Sequence, residues 1–332
     1  MLNRMVGTPY RPVPHSKQIK PNDGSGLGTQ HQSAKLRKQN PTKMLKLRSE
    51  PAANYRATFI NGKTLRFQID PTQPITELEY PEFYDLSFGD KCATGKCSYC
   101  YASGNPKGRH YANIVAKLKQ VFSGMSPEQR PFQVAIGGQQ ESLEHPEFWE
   151  AVIALKSLNI VPNYTTNGVL FDQAAAELTK EHCGGLAITA HPHLERAWRQ
   201  AIAVAINNKL KVNIHYIVSD SASVEKLKGL YLELAEKVDY FVLLPYMNVG
   251  FAAKQPRRIA YQELAQWINS LTKPNIAFGA HFYEFIQANP QWPIDSYPPE
   301  ILSKYLVLDD PITLHTSSFE PEKQVSRAWL VN

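Results

Sequence analysis

The sequence contains little cysteine and no long apolar segment. Four cysteines in 332 residues are too few for a disulfide framework. No stretch approaches the roughly 20 consecutive apolar residues of a transmembrane helix, and the first 14 residues lack the apolar run of a signal peptide. These absences exclude a disulfide-rich secreted scaffold and a helical membrane protein. They predict a cytoplasmic protein without a membrane partner.

The charge is concentrated at one end of the chain. The net charge is +6, yet residues 1–50 hold ten Lys and Arg against two Asp and Glu, so the remainder is slightly acidic. The same segment is rich in Pro, Gly, Gln and Asn and poor in apolar residues, which predicts a basic flexible tail over 1–53. Such a tail either keeps the protein soluble or binds a nucleic acid or an acidic peptide.

Two periodicities divide the rest of the chain. Apolar and polar residues alternate around Asn61-Gly62, a pair that favours tight turns, so residues 54–80 are predicted to form a β-hairpin annex. From Tyr84 onward, short β-branched runs alternate with amphipathic helical runs. Strands are predicted near 84–89, 132–137, 160–166, 185–190, 211–218 and 240–246. Helices are predicted over 112–124, 146–158, 171–182, 193–208, 221–237 and 260–271.

This alternation predicts an α/β fold with a parallel sheet and right-handed crossovers. Six strand-helix units favour a partial (β/α)6 TIM barrel over residues 81–272, with a C-terminal extension, 273–332, packing on the barrel. A complete eight-fold barrel and an open doubly wound sheet are the alternatives.

Three cysteines form a compact motif, C-x4-C-x2-C, directly after the first predicted barrel strand. Cys92, Cys97 and Cys100 therefore lie in a βα loop at the edge where barrel enzymes carry their active sites. A plant-type 2Fe-2S centre or a four-thiolate zinc site needs a fourth cysteine. Cys183 precedes the fourth strand and is expected at the opposite face. A Cys3His zinc site with His110, or unliganded structural cysteines, stay open.

The loop resembles that of the radical S-adenosylmethionine (SAM) superfamily, which is usually C-x3-C-x-aromatic-C. Tyr99 fills the aromatic position, and one extra residue separates Cys92 from Cys97. The resemblance implies that the three cysteines are the catalytic ligands of a 4Fe-4S cluster. Three ligands leave one iron open, and the resemblance implies that SAM binds there.

Two further segments carry the resemblance. Ile136-Gly-Gly-Gln-Gln-Glu-Ser, followed by His145-Pro146, resembles the family's Gly-Gly-Glu-Pro segment, and Thr165-Thr-Asn-Gly168 resembles a Thr-Asn-Gly turn of many members. In the family the first segment contacts the methionyl amino group of SAM. The SAM-contact residues that this implies are Gly137, Gly138, Gln139 or Glu141, Thr166 and Asn167.

Side-chain parity supplies the other candidates. Successive residues of a strand face opposite sides of the sheet, and the side that faces the helices must be apolar. Leu186, Ile188 and Ala190 of the fourth strand, and Val212, Ile214, Tyr216 and Val218 of the fifth, are predicted to face helices. The residues predicted to face the interior or the rim, as SAM or substrate contacts, are Thr189, His191, Asn213, His215, Ser219, Tyr246 and Met247.

The resemblance implies reductive cleavage of SAM to methionine and a 5′-deoxyadenosyl radical, driven by an external one-electron reductant. The expected substrate is a ribosomally synthesised peptide, modified by chemistry such as backbone excision or epimerisation, with a separate protein holding its leader. Cys183, at the wrong face for a thiol hydrogen donor, disfavours epimerisation. A tRNA-modifying enzyme that uses the basic tail and a non-catalytic iron-sulfur sensor are the alternatives.

Overall fold

A computed structural model describes residues 45–94, 97–292, 297–320 and 322–330. The predicted tail up to residue 44 lies outside this range. The described residues form a small three-stranded antiparallel sheet, a nine-stranded sheet and helices that cover the larger sheet.

The nine-stranded sheet is parallel except at one edge. Its strand order is β10-β9-β8-β7-β6-β5-β4-β11-β12, and only β12 runs antiparallel to its neighbour. The strands are β4 (Phe83–Ser87), β5 (Gln133–Ile136), β6 (Val161–Thr166), β7 (Gly185–Thr189), β8 (Val212–Val218), β9 (Tyr240–Pro245), β10 (Ile276–Phe278), β11 (Ser303–Val307) and β12 (Thr313–His315).

A helix follows each strand from β4 to β9, which confirms the six predicted strand-helix units. These helices are α1 (Ile114–Ser123), α2 (Phe148–Ser157), α3 (Gln173–His182), α4 (Glu195–Asn207), α5 (Ser221–Leu234) and α6 (Tyr261–Ser270). Two short helices come later, α7 (Tyr283–Gln287) and α8 (Pro299–Leu302). None of the helices in the described ranges combines the length and the apolar character needed to cross a bilayer.

The sheet is longer than the six strands predicted, because the C-terminal segment adds to both edges. β10 pairs with β9, and β11 pairs in parallel with β4, with Ser303 opposite Phe83. This is the strand order of an eight-stranded α/β barrel interrupted between its seventh and eighth parallel strands. The segment 273–332 thus completes the sheet rather than only packing against it.

Side-chain parity explains how the sheet holds its helices. Leu186, Ile188, Val212, Ile214 and Val218 all join the main apolar core between sheet and helices, as predicted. The helices contribute a matching stripe, which in α4 consists of Trp198, Ala201, Ile202 and Ala205 at helical spacing. Ala190 and Tyr216 are half-buried against the same core. The opposite face of these strands is therefore free to carry polar residues.

The annex has three strands rather than the two predicted. β2 (Tyr55–Ile60) and β3 (Lys63–Gln68) form the hairpin, and β1 (Leu45–Glu50), from the segment assigned to the flexible tail, pairs with β2. The Lys46 ammonium donates to the carbonyl of Phe132, which directly precedes β5, at 3.0 Å. The annex therefore lies at the amino end of a central strand, away from the carboxyl edge.

Candidate active site

A pocket opens at the carboxyl edge of the sheet, where β4 to β9 end. It encloses about 170 Å³, whereas one water molecule needs only ~10–15 Å³, so a small organic ligand fits. Most of the predicted site residues line it: Cys92, Cys97, Tyr99, Cys100, Gly137, Gly138, Gln139, Glu141, Thr166, Asn167, Thr189, His191 and His215. Met247 lines it too. Motifs far apart in sequence thus meet in one place.

Three predicted residues lie outside the lining. The Tyr246 hydroxyl donates to the carbonyl of Gln255 at 2.9 Å, and the Ser219 hydroxyl lies 3.5 Å from the Arg257 guanidinium. Asn213 is buried on the interior face of β8 but does not reach the pocket either. Parity alone places a side chain on a face of the sheet, and it does not fix the height of that side chain along the strand.

Backbone hydrogen bonds fold the cysteine loop onto itself. The Cys92 amide donates to Asn105 at 3.1 Å, and the Cys100 amide donates to Cys97 at 3.0 Å. The Gly104 amide points at the Cys100 sulfur from 3.3 Å. All three sulfur-bearing side chains consequently face the same pocket.

The thiols of Cys92 and Cys97 are not activated as nucleophiles. Burial raises the pKa of Cys97 to about 11, and the neighbouring Cys100 and Cys92 act in the same direction. Burial also raises the pKa of Cys92. Reactive cysteines have lowered pKa values and a nearby cation. A bound metal deprotonates a coordinating thiol outright, so these side chains suit metal ligation better than nucleophilic attack.

The described side chains form no compact site for a single metal ion. Within the residues that the structure describes, no three Cys, His, Asp or Glu side chains converge closely enough to hold one metal ion. Ligands on three different irons of a cluster are further apart than ligands on one ion. Cys183 directly follows α3, at the amino end of β7, and does not line the pocket. His110 packs on His145 with ring centroids 4.9 Å apart, also outside the lining.

Hydrogen bonds join the three motifs to one another. The buried Glu141 carboxylate accepts from the Thr166 hydroxyl at 2.6 Å and from the Asn167 amide at 2.8 Å. The Asn167 side chain donates to the Thr94 hydroxyl at 2.9 Å, and that hydroxyl lies 3.3 Å from the Cys92 sulfur. Glu141 is thus committed to holding the second and third motif segments together. Burial raises its pKa to about 7.

The histidines of the pocket are uncharged at neutral pH. Burial lowers the pKa of His191 to about 4, and it lowers the pKa of His215 well below the ordinary value. The buried His215 Nε2 has no hydrogen-bond partner within the described part of the chain. The pocket wall at β7 and β8 is therefore polar without being cationic.

Gly250 brings the loop after β9 into direct contact with the cysteine loop. It has φ of +59°, and a Cβ atom there would lie 2.1 Å from the Tyr101 carbonyl oxygen. The next residue, Phe251, donates its amide to the Cys100 carbonyl at 2.9 Å. Only glycine permits this approach.

We expect Gly250→Ala to displace the cysteine loop. The contact is with backbone, which cannot rotate away, so we expect a stability loss of about 1–3 kcal/mol and bound iron to fall by about half or more. Gly229→Ala is the matched control, because α5 has open space at that position. It should leave the iron content unchanged and raise the stability by up to about 1 kcal/mol. Iron analysis and denaturant unfolding measure both; full iron content in Gly250→Ala would contradict the expectation.

The C-terminal segment contributes a wall that sequence reasoning missed. The Phe319 ring packs on Tyr101 with centroids 4.1 Å apart, and the Tyr101 hydroxyl lies 3.3 Å from Ser318. Phe319 also packs edge-on to His281, at 4.3 Å. Both Tyr101 and Phe319 line the pocket. Tyr101 directly follows Cys100, the last cysteine of the motif, and this position could have marked it as a pocket residue. No local pattern indicates Phe319.

Comparisons with known proteins bear on the fold. No protein-family model matches the sequence, and no curated protein matches it either. Among solved structures, the chain is similar to Streptococcus suis SuiB bound to precursor peptide SuiA, with a TM-score of 0.58 and 15% identity. The match covers 76% of this chain and 63% of SuiB, so this chain spans less than two thirds of that protein. SuiB has a second structure with S-adenosylmethionine bound.

A second match is anSMEcpe with bound AdoMet, with a TM-score of 0.53, 12% identity, and coverage of 75% of this chain and 78% of that protein. AnSMEcpe has also been solved with AdoMet and the Cp18Cys peptide. These proteins are radical SAM enzymes. The chain therefore has the fold of radical SAM enzymes, as its three motifs predicted.

Proposed function

We propose that this chain is a radical SAM enzyme. The observation that carries the proposal is the convergence of the cysteine loop, the Gly137-Gly138 segment and the Thr166-Asn167 turn on one pocket, where hydrogen bonds connect them. Cys92, Cys97 and Cys100 are the proposed ligands of a 4Fe-4S cluster. With SAM bound, such a cluster supplies the electron that splits SAM into methionine and a 5′-deoxyadenosyl radical.

We propose further that the parallel sheet curls into a partial barrel around this site. Contacts between its distant parts support this curvature. The loop after β4 meets the loop after β9 at the Cys100 and Phe251 hydrogen bond. His281, which follows β10, meets Phe319, which follows β12. A flat sheet would hold these loops far apart, since β4 and β9 are separated by four strands.

The pocket suits a cationic sulfonium compound. Neither Lys nor Arg occurs among its described lining residues, and the low pKa values of His191 and His215 leave both rings neutral. No positive charge of these residues opposes that of SAM. Gly138, exposed and at φ +88°, offers backbone without a side chain in the way. Its proposed role is to accommodate the methionyl end of SAM.

The proposed substrate is a ribosomally synthesised peptide, with a separate protein holding its leader and an external protein supplying electrons. The support is the likeness to SuiB, which has been solved with precursor peptide SuiA. The structure of anSMEcpe with the Cp18Cys peptide points the same way. The apolar wall that Met247 and Phe319 contribute to the pocket suits a side chain of such a peptide.

Anaerobic reconstitution tests the proposal. We expect about four irons per chain and a cluster spectrum. With SAM and a strong reductant, the protein should form 5′-deoxyadenosine. Co-expression with small open reading frames beside its gene should produce a peptide of altered mass. Zinc in place of iron would contradict the proposed cluster. Iron without SAM cleavage would contradict the proposed enzymatic activity and would favour a non-catalytic iron-sulfur sensor.

Phe319→Ala is expected to uncouple the reaction. The aromatic ring closes the pocket over Tyr101, and a closed pocket protects a reactive species from side reactions. We expect the amount of modified peptide per 5′-deoxyadenosine to fall by about half or more. Phe67→Ala is the control, since Phe67 is an exposed aromatic residue of the annex. Unchanged coupling in Phe319→Ala would show that the wall does not seal the site.

A further inference from the structure

A continuous set of polar contacts runs from the pocket wall to one cluster-ligand candidate. The Tyr99 hydroxyl lies 2.9 Å from His191 Nδ1 and 3.3 Å from His193 Nδ1. The other nitrogen of His193, Nε2, lies 3.5 Å from the Cys97 sulfur. No motif of the sequence includes His193, and the proposed cleavage of SAM gives it no role.

The chemistry of the acceptor fixes the direction of these hydrogen bonds. A cysteine bound to iron is a thiolate, which can only accept. His193 must therefore carry its proton on Nε2, and in its neutral form Nδ1 then accepts. Tyr99 has one hydroxyl hydrogen, which it donates to His193 Nδ1. The oxygen of Tyr99 in turn accepts from His191 Nδ1–H.

The opposite polarity is unfavourable. If Tyr99 donated to His191, a neutral His193 would donate from Nδ1 to Tyr99, and its Nε2 lone pair would face the thiolate. Two lone pairs at 3.5 Å repel. Burial keeps His191 neutral, with its single ring proton available for Tyr99. With a neutral His193, all three contacts are hydrogen bonds in the first arrangement only.

We propose that His193 donates a hydrogen bond to the Cys97 sulfur and thereby raises the reduction potential of the cluster, with Tyr99 and His191 fixing its tautomer. The inference rests on the proposed function, because it needs the iron-sulfur cluster. Reduction adds negative charge to the cluster sulfurs. A hydrogen bond to a ligand sulfur stabilises the reduced form more than the oxidised form, and such bonds are among the determinants of cluster potentials.

A redox titration of the reconstituted, SAM-free protein, followed by the electron paramagnetic resonance of the reduced cluster, tests this role. We expect His193→Ala to lower the ratio of reduced to oxidised cluster at a fixed potential about threefold, which is about 28 mV at 59 mV per tenfold change. His193 is exposed, so water partly replaces the lost donor and limits the shift. His193→Gln, whose amide keeps an N–H near the Nε2 position, should restore most of it.

His182→Ala is the matched control, because His182 ends α3 far from the pocket; its midpoint should equal that of the wild type. Tyr99→Phe should lower the midpoint potential as His193→Ala does, because it removes the partner of His193 Nδ1. The Tyr99 hydroxyl also interacts directly with the Cys97 side chain, so the double variant should shift further than His193→Ala alone. If His193→Ala does not retain iron, the midpoint potential of Tyr99→Phe is the test. A lowered potential supports the inference, and an unchanged one overturns it.

An unchanged midpoint potential in a fully loaded His193→Ala protein overturns the inference. Failure of the proposed function is a different result. It appears in the wild-type protein itself, as zinc or an absent cluster signal, before any variant is compared.

Discussion

Cys97→Ala is expected to abolish 5′-deoxyadenosine formation without unfolding the protein. Cys97 is the most buried of the three pocket cysteines, and its sulfur faces the site from a loop whose backbone is held by Cys100 and Asn105. Removing a residue that only hydrogen-bonds a metal ligand lowers metal affinity or activity by up to ~100-fold. Loss of a ligand itself should therefore lower the rate of SAM cleavage by more than that. The stability change should stay below about 1 kcal/mol, because the residue lies outside the main core.

Iron content, the cluster spectrum and 5′-deoxyadenosine yield measure this result. Cys183→Ala is the control, because Cys183 is the remaining cysteine and lies at the amino end of β7. That variant should keep about four irons and wild-type turnover. Wild-type SAM cleavage in Cys97→Ala, or loss of iron in Cys183→Ala, would contradict the proposed ligand set.

Local patterns predicted the six central strand-helix units because each unit has its own periodicity. The helix face is marked at helical spacing, as in α4, and the strands β7 and β8 alternate between helix-facing and interior residues. Pairing between distant segments carries no such local mark. β11 joins the sheet beside β4 at the far end of the chain, so sequence reasoning stopped at six strands.

Sequence reasoning places β1 in the tail because residues 1–50 as a whole are basic and poor in apolar residues. Its apolar residues Leu45 and Leu47 are 58% and 64% exposed, while Arg48 is 3% exposed. The Arg48 guanidinium pairs with Glu50 and donates to the Pro81 carbonyl at 3.1 Å. A strand that buries its cation and exposes its leucines inverts the pattern on which such predictions depend. One partner of Arg48, Glu50, belongs to the same strand, and the other, the Pro81 carbonyl, lies elsewhere in the chain.

The site was predicted better than the sheet edges, because its residues belong to short motifs. The motif residues meet in the pocket, whereas Ser219 and Tyr246, chosen by parity, do not line it. Phe319 could not be found, because its place depends on β12 turning the chain back toward Tyr101. Motifs specify which loops take part, and tertiary contacts decide which further side chains close the pocket.

Glu141 should make the stability of the protein depend on pH. Burial raises its pKa in the folded state to about 7 from an ordinary value of 4.5. Between these values the folded protein binds the proton and the unfolded chain does not. The contribution of this group to stability is therefore complete below pH 4.5 and is lost as the pH rises through 7. At 1.36 kcal/mol per pKa unit, the loss is about 3 kcal/mol.

The comparison of wild type with Glu141→Gln isolates this group, since glutamine does not titrate and other groups cancel. We expect the wild-type free energy of unfolding, relative to that of the variant, to fall by about 2–3 kcal/mol from pH 5 to pH 8 in denaturant titrations. Glu225→Gln on the exposed face of α5 controls for the loss of one charge and should show no such trend. A constant difference would mean that the hydrogen bonds from Thr166 and Asn167 keep Glu141 ionised throughout. In that case the link between the second and third motifs would be held by charge-assisted hydrogen bonds at every pH.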